Sequence, residues 1–439
     1  MTHITIVGLG PGDPALLTRA AWDVLQAADE VYLRTRAHPA LDGLPAHLAL
    51  HSFDEVYEAA EDFAAVYAEI ARRVIALGRR PQGVVYAVPG DPTVGEATTW
   101  LIRQQAAEAG LTVRVVHGVS FIEPTCLALG LDPLEQDGLQ VLDAMVVAAS
   151  HASPFDTSRP ALLAQCYSRS LASDVKLTLL HSLDAEHPIT VVQAAGTPAQ
   201  RLRQVPLFEL DRSSDFDHLT SLYVPPAGPY AAFSRLQEIV AHLRSPEGCP
   251  WDREQTLQSL RKDLMEEAYE LLEALDLDDD EKIGEELGDL SLVIAMLAQI
   301  AAEEERVKWP QAMARIVEKL IRRHPHVFGD VQVSGADEVL ANWAAIKAEE
   351  ANAKAHEAGG ARPSPLDSVP KALPALSLAS KYQGRLARAG IEPSLPAAAD
   401  NPIGVALWRL VAQARAAGVD AETALREVCQ QVAAAVPPP

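Results

Sequence analysis

The run VPPAGPY, at residues 224–230, separates two kinds of hydrophobic periodicity, and no other feature of the sequence limits the fold as much. Upstream of it, short β-branched runs (ITIVGL, EVYL, GVVYAVPG, TVRVVHG and ITVVQAAG) alternate with helical patterns, the first near residues 16–28. Such alternation predicts an α/β domain built on a largely parallel sheet. From Ala232 onward the strand signals fade. Stretches such as LQSLRKDLMEEAYELLEAL and LGDLSLVIAMLAQIAAEEE carry apolar residues at helical spacing, which predicts an all-α half. A second breaker, HEAGGARPSPLDS at 356–368, has the glycine, proline and serine content of an exposed linker and sets off a last helical piece. The chain closes on PPP, a frayed end in expectation. Its 439 residues exceed what one core usually supports, so two or three domains are expected.

Composition narrows the function classes. With 48% hydrophobic and 22% charged residues the chain reads as soluble and globular. The 37 basic and 60 acidic residues give a formal charge of −23, which argues against a nucleic-acid or anionic-membrane surface because a polyanion is repelled at long range. A small anionic substrate then needs a metal or local basic groups. Cys126, Cys166, Cys249 and Cys429 lie far apart without ligand spacing and read as reduced thiols of a cytoplasmic protein. The start, MTHITIVGLG, lacks a basic n-region, so no signal peptide is expected, and no apolar run is long enough to predict a membrane span.

Glu267 and Glu270 stand three apart in one predicted helix, and Glu286 and Asp289 three apart in the next. That spacing puts each pair on one helical face, and LDLDDDEK at 275–282 offers Asp N-caps for a turn between antiparallel helices. Four carboxylates then converge between two helices. A lone ExxE is most often a solvated face. Here IGEELGDLSLVIAML sets charge among strongly apolar residues, which predicts a mostly buried helix whose carboxylates need a partner. Converging oxygens suit a hard cation such as Mg²⁺, which neutralises a triphosphate and lowers the pKa of an attacking water.

At this point the sequence resembles a known family. LRSPEGCPWDREQTLQSLRKDLMEEAYELLEAL is similar to the opening signature of MazG proteins, IGEELGDLSLVI to their second acidic helix, and KLIRRHPHVFGD and VLANWAAIKAEE to their remaining blocks, over about residues 232–350. The resemblance implies an all-α, Mg²⁺-dependent nucleoside triphosphate pyrophosphohydrolase that cleaves between the α- and β-phosphates, with nucleotide-pool house-cleaning as its service. It further implies metal ligands at Glu267, Glu270, Glu286 and Asp289, with Glu266 orienting or deprotonating the water. Lys282, Arg322 and Arg323 would lie near the phosphates, and Trp343 and Lys347 would contact the nucleotide. Residue type alone leaves Lys282 divided between the acidic loop and the phosphates, and Trp343 between core and base. His324 and His326 flank Pro325 and read as a turn after a helix rather than a metal site. Trp251 and Cys249 read as an anchor for the start of the first helix, with base stacking as the other reading. The family's modules typically pair, so a homodimer is expected.

The tail from Val369 resembles the second module that MazG proteins often carry, through VPKALPALSLASKYQGRLARAGIEP and PIGVALWRLVAQARAAGVDAETALREV. In that comparison the metal-binding positions become Pro402 and Val405, no ExxE stands upstream where SLPAAADN replaces a helix, and no KxxRR follows. This half is expected to pack or dimerise and not to bind metal.

At the other end, GLGPGD (8–13) follows a strand and precedes a helix, and VYAVPGDPTVGE (85–96) and VHGVSFIEPTCLALGLDP (116–133) follow later strands. Glycines there let backbone turn and approach a ligand. In this order the three segments, with VVQAAGTPAQRL, resemble the tetrapyrrole (corrin/porphyrin) methylases over about residues 2–224. That resemblance implies S-adenosylmethionine between two α/β subdomains, with contacts at Pro11, Pro89, Gly90, Asp91, Val94, Ser120, Phe121 and Gly196. Tetrapyrrole-modifying members carry a catalytic Asp in a YDRL-type segment, whereas VYLRTRAHP has Leu33 there. The expected domains are therefore 1–225, methylase-like; 230–352, MazG; and 367–439, a degenerate second MazG-like segment. Pyrophosphohydrolysis is the leading expectation, S-adenosylmethionine-dependent methyl transfer the alternative, and a non-catalytic sensor of that cofactor the third.

Overall fold

The computed structural model describes residues 3–59, 62–135, 138–357, 364–397 and 400–435. Part of the breaker at 356–368, two positions of SLPAAADN and the closing PPP lie outside the described residues. The chain forms two compact units, Met1–Lys308 and Trp309–Pro439.

The first unit begins with five parallel strands, β1 (Ile4–Gly8), β2 (Glu30–Leu33), β3 (Ala49–Ser52), β4 (Val84–Val88) and β5 (Val113–Val116), in the order β3-β2-β4-β1-β5. Residues alternate across the sheet. Ile4 and Ile6 of β1 join Tyr86 and Val88 of β4 in one hydrophobic cluster, while Val7 and Ala87 join Val31 and Leu33 on the other face. Both faces are covered, as a parallel sheet requires.

A second sheet holds β6 (Gln140–Asp143), β7 (Ala161–Ala164), β8 (Pro188–Gln193), β9 (Arg201–Pro206) and β10 (Thr220–Val224), ordered β6-β7-β10-β8-β9. Only β6 and β7 are parallel; β10 runs antiparallel to β7 and β8, and β8 antiparallel to β9. The expectation of a largely parallel sheet thus holds for the first sheet alone. Its physical limit is connection length: β8 reaches β9 through residues 194–200, too few for the crossover that parallel neighbours need.

After Val224 every element in the described residues is helical. Helices Phe233–Leu243, Arg261–Leu277 and Asp280–Glu303 complete the first unit around a small core of Val240, Leu260, Ala295, Met296 and Ile300. Arg244, almost wholly buried, ties this core together through Glu303 at 2.6 Å. Asp278 ends the first acidic helix in the left-handed conformation, and Asp279 caps the second by accepting from the Lys282 N–H at 3.2 Å. Short polar side chains make both conformations accessible.

One expectation is corrected here. The second acidic helix is not mostly buried: Val293, Ala295, Met296 and Ile300 are, but Leu287, Leu292 and Ile294 are exposed. Its buried residues lie in its C-terminal half, leaving the acid-bearing half to lean on its neighbour alone. Trp251 is likewise no anchor, since its indole is 63% exposed beside Cys249, the N-cap of the short helix Pro250–Glu254.

The second unit contains helices Trp309–Arg323, Pro325–Phe328, Ala336–Glu357, Ala375–Ala389, Pro402–Ala416 and Ala421–Ala434. Among the described residues no helix is long and apolar enough to cross a membrane.

Candidate functional site

The two acidic helices bring carboxylate oxygens of Glu267, Glu270 and Glu286 within 4.8 Å of one another. Asp289 falls outside that triad, yet its charge is felt by both Glu267 and Glu286. Glu267 is pushed above the usual carboxylate range by partial loss of water and then by Glu270, Asp289 and Glu286. Glu286 is raised in the same way, first by desolvation and then by Glu270, Glu285 and Asp289, with Lys282 pulling it down. Like charges held this close favour a proton or a cation. An all-carboxylate donor set is hard-cation chemistry. Glu266 turns elsewhere and meets Lys262 at 3.6 Å.

At the other end of the same unit the loops after β1, β4 and β5 interlock. Gly10 and Gly90 pair through N–H to carbonyl bonds of 3.1 and 2.8 Å. A Cβ at Gly8 would stand 2.6 Å from the Gly90 oxygen, and one at Gly118 would stand 2.3 Å from it. Only glycine permits that approach. Asp91 fastens the loops, accepting from the Thr93 N–H at 2.7 Å and the Gly118 N–H at 3.2 Å, with His117 Nδ1 at 2.9 Å.

These loops border a cavity of about 620 Å³ whose far wall comes from the ends of β7, β8 and β10. Pro11, Pro89, Gly90, Asp91, Val94 and Phe121 line it. Ser120 and Gly196 do not: Ser120 is buried, donating to Glu123 and accepting from the Ile122 N–H, and Gly196 packs against Pro124. Leu33 is fully buried in the hydrophobic cluster behind the sheet. Its successor Arg34 enters the cavity and pairs with Glu96 at 2.6 Å. Burial opposes the Arg34 charge, but Glu96 outweighs it and holds the guanidinium well above its ordinary range.

Two comparisons with known proteins bear on these sites. The family pattern of tetrapyrrole (corrin/porphyrin) methylases matches residues 3–211, and that of the MazG nucleotide pyrophosphohydrolase domain matches residues 255–328. The protein YabN of Bacillus subtilis is 42% identical over 385 residues, which cover 87% of this chain and 76% of that protein. The chain belongs to the family that joins these two domains.

Its MazG part is 44% identical over 159 residues to the nucleoside triphosphate pyrophosphohydrolase of Escherichia coli K12, covering 36% of this chain and 58% of that protein. The chain thus spans little more than half the length of that relative. Among solved structures, a uroporphyrin-III-C-methyltransferase from Thermus thermophilus aligns with 52% of this chain and 96% of its own, at 23% identity and a TM-score of 0.41.

The remaining MazG positions lie in the second unit. Arg322 and Arg323 both grip Glu350, at 2.8 and 2.6 Å, and push its carboxyl down to about 2. Lys347 Nζ sits 3.9 Å from the centre of the Trp343 ring, with Arg323 over the same ring at 5.7 Å. Arg322, Arg323, Trp343 and Lys347 therefore form one cluster around an acid that their residue types did not announce. Desolvation lowers the Lys347 ammonium's pKa, and Arg323, Arg385 and Arg388 lower it further. His324 Nδ1 lies 2.7 Å from the Leu320 carbonyl at the helix end. In the tail, Pro402 opens a helix capped by Asn401, and Val405 is buried.

The residues missed from the sequence are those of the cavity's far half. Arg34 and His38 stood in the segment VYLRTRAHP, and Glu96 ended VYAVPGDPTVGE. Charged residues directly following apolar strands and glycine loops were the available signal.

Proposed function

We propose that the chain is a Mg²⁺-dependent nucleoside triphosphate pyrophosphohydrolase, adding water across the bond between the α- and β-phosphates to give the monophosphate and pyrophosphate. The observation that carries this reading is the convergence of Glu267, Glu270 and Glu286 on adjacent helices within the MazG domain. Asp289 completes the ligand set. When bound, Mg²⁺ supplies charge neutralisation of the triphosphate and a more acidic water. Glu266 orients that water or takes its proton after leaving Lys262, an exposed pairing of small worth. Lys282, Arg322 and Arg323 bind phosphate oxygens, a use suited to the arginine fork, and Trp343 and Lys347 contact the nucleotide.

The protein acts in the cytoplasm on the nucleotide pool, as a homodimer. The exposed Leu287 and Leu292 on the second acidic helix support pairing with another copy. Its working parts run over 1–225, 230–352 and 367–439, the last packing or dimerising. The methylase domain binds S-adenosylmethionine at the glycine loops, including Ser120 and Gly196 through the backbone they shape.

The test is product identity: nucleoside triphosphates incubated with the full chain and Mg²⁺ yield monophosphate and pyrophosphate. Release of diphosphate and orthophosphate instead would overturn the assignment.

A further inference from the structure

The cavity between the two sheets is larger than its glycine-loop wall, and its other half has a chemistry of its own. Four carboxylates line it, Asp54, Asp91, Glu96 and Asp217, against one guanidinium among the described residues, that of Arg34. Arg34 is already committed to Glu96, whose side chain is 2% exposed. Asp54 accepts from the Arg36 N–H at 3.0 Å and Asp91 from the Thr93 N–H at 2.7 Å, which outweighs their burial and keeps both below the ordinary carboxylate range. A ligand with several carboxylates would enter a negative cavity and find no free cation.

What the wall does offer is aromatic surface and unpartnered polar atoms. Phe63 stacks on Tyr67 and meets Tyr167 edge-on, each at 6.0 Å between ring centres, and all three face the cavity. Aromatic faces favour flat rings and cations. His38 is 94% buried, and its Nδ1 has no hydrogen-bond partner; nor has the Tyr57 hydroxyl or the Arg34 Nε. All three residues line the cavity. Burial and the neighbouring His218 hold His38 down to about 4, so its ring is neutral at physiological pH. The Gly10 backbone hydrogen-bonds the ring and raises its pKa. With Nδ1 unpartnered, that bond is a donation from the other nitrogen, which leaves Nδ1 an acceptor. Buried polar atoms without partners call for an explanation. Two non-glycine residues with positive φ, Gln165 at 62° and Ala194 at 48°, border the same space, and such strained backbone concentrates at ligand sites.

We infer that the half of this cavity opposite the glycine loops binds a flat, uncharged or cationic ring molecule that donates an N–H or O–H to His38 Nδ1, and that it excludes polycarboxylates. The inference rests on the proposed S-adenosylmethionine site only for which half of the cavity the ring occupies. The missing acid at Leu33 accords with it: the protein has exchanged that group for a neutral acceptor on the same segment.

The test uses the full chain and saturation-transfer NMR with four probes: benzimidazole, 1-methylbenzimidazole, benzimidazole-5-carboxylate and uroporphyrin III. Benzimidazole binds saturably. The N-methyl and carboxylate analogues bind about tenfold more weakly, as expected for a buried acceptor left unpaired or a charge left unmatched, and uroporphyrin III does not compete. His38→Ala removes the preference for the N–H form. Equal or tighter binding of either carboxylate-bearing probe overturns the inference, as does survival of the N–H preference in His38→Ala or the failure of all four probes to bind. The carboxylate comparison needs no variant, so it decides even if His38→Ala does not fold. Calorimetry with S-adenosylmethionine on the same samples separates the two readings. Cofactor binding without ring binding sinks the inference alone, and ring binding without cofactor binding sinks the cofactor assignment alone.

Discussion

The two candidate sites of the first unit are built on opposite plans. The methylase-domain cavity is shaped by backbone, with loops so close that one added Cβ at Gly118 meets the Gly90 oxygen at 2.3 Å, and Asp91 is hydrogen-bonded before any ligand arrives. The acidic cluster is made of side chains on two helices, exposed or half-buried, that repel one another. The first is therefore part of the fold's own stability. The second costs the fold something until a cation joins it. Changes to backbone should damage the cavity and spare hydrolysis, and changes of charge should do the reverse.

The largest effect expected is that of metal removal. Chelating divalent ions with EDTA lowers pyrophosphate release by more than about 100-fold, while calorimetric S-adenosylmethionine binding stays as it was. Hydrolysis that persists in EDTA would break the comparison, because the cluster would then work without its cation.

A smaller effect separates the sites by pH. His38 is held at about 4 in the folded chain, against about 6.5 for an ordinary histidine. Between those values the unfolded chain carries the proton and the folded chain does not, so stability of the cavity region rises with pH across that window. The rise amounts to about 3 kcal/mol at most. Denaturant-dependent hydrogen exchange of the first sheet's amides measures it, and His38→Asn flattens it. An unchanged slope in that variant would assign the pH dependence to other groups.

Gly118→Ala sharpens the contrast further. Forcing a methyl group against the Gly90 carbonyl costs about 1–3 kcal/mol by overpacking, read by the same exchange experiment, and weakens cofactor binding while hydrolysis is unaltered. A variant as stable as wild type would mean that the loops have room to separate.

How far each site was legible in the sequence follows from the same difference. Backbone sites advertise themselves through glycine: GLGPGD, VPGDP and VHGVS pointed to three loops that do meet, and six of the eight residues carried over from them line the cavity. Ser120 and Gly196 shape its surroundings instead. The far wall was silent because it comes from strands that periodicity does not reveal. β3 (ALHS) and β7 (ALLA) are four residues each, and β9 (RLRQVP) is charged enough to read as a loop. Helical spacing brought Glu267, Glu270 and Glu286 together correctly, yet it gave no hint that Leu287 and Leu292 beside them are exposed. Spacing fixes which residues share a face, and burial depends on what lies against that face. Glu350, the acid that organises Arg322 and Arg323, was invisible for the same reason: its partners lie 27 and 28 positions away on another helix.

The most direct test of the central claim compares pyrophosphate release from Mg²⁺-bound nucleoside triphosphates by the wild-type chain and Glu286→Ala. The account predicts a rate lowered by at least about 100-fold, as loss of several kcal/mol of charge stabilisation implies, with S-adenosylmethionine binding unchanged. An undiminished rate in Glu286→Ala would contradict it.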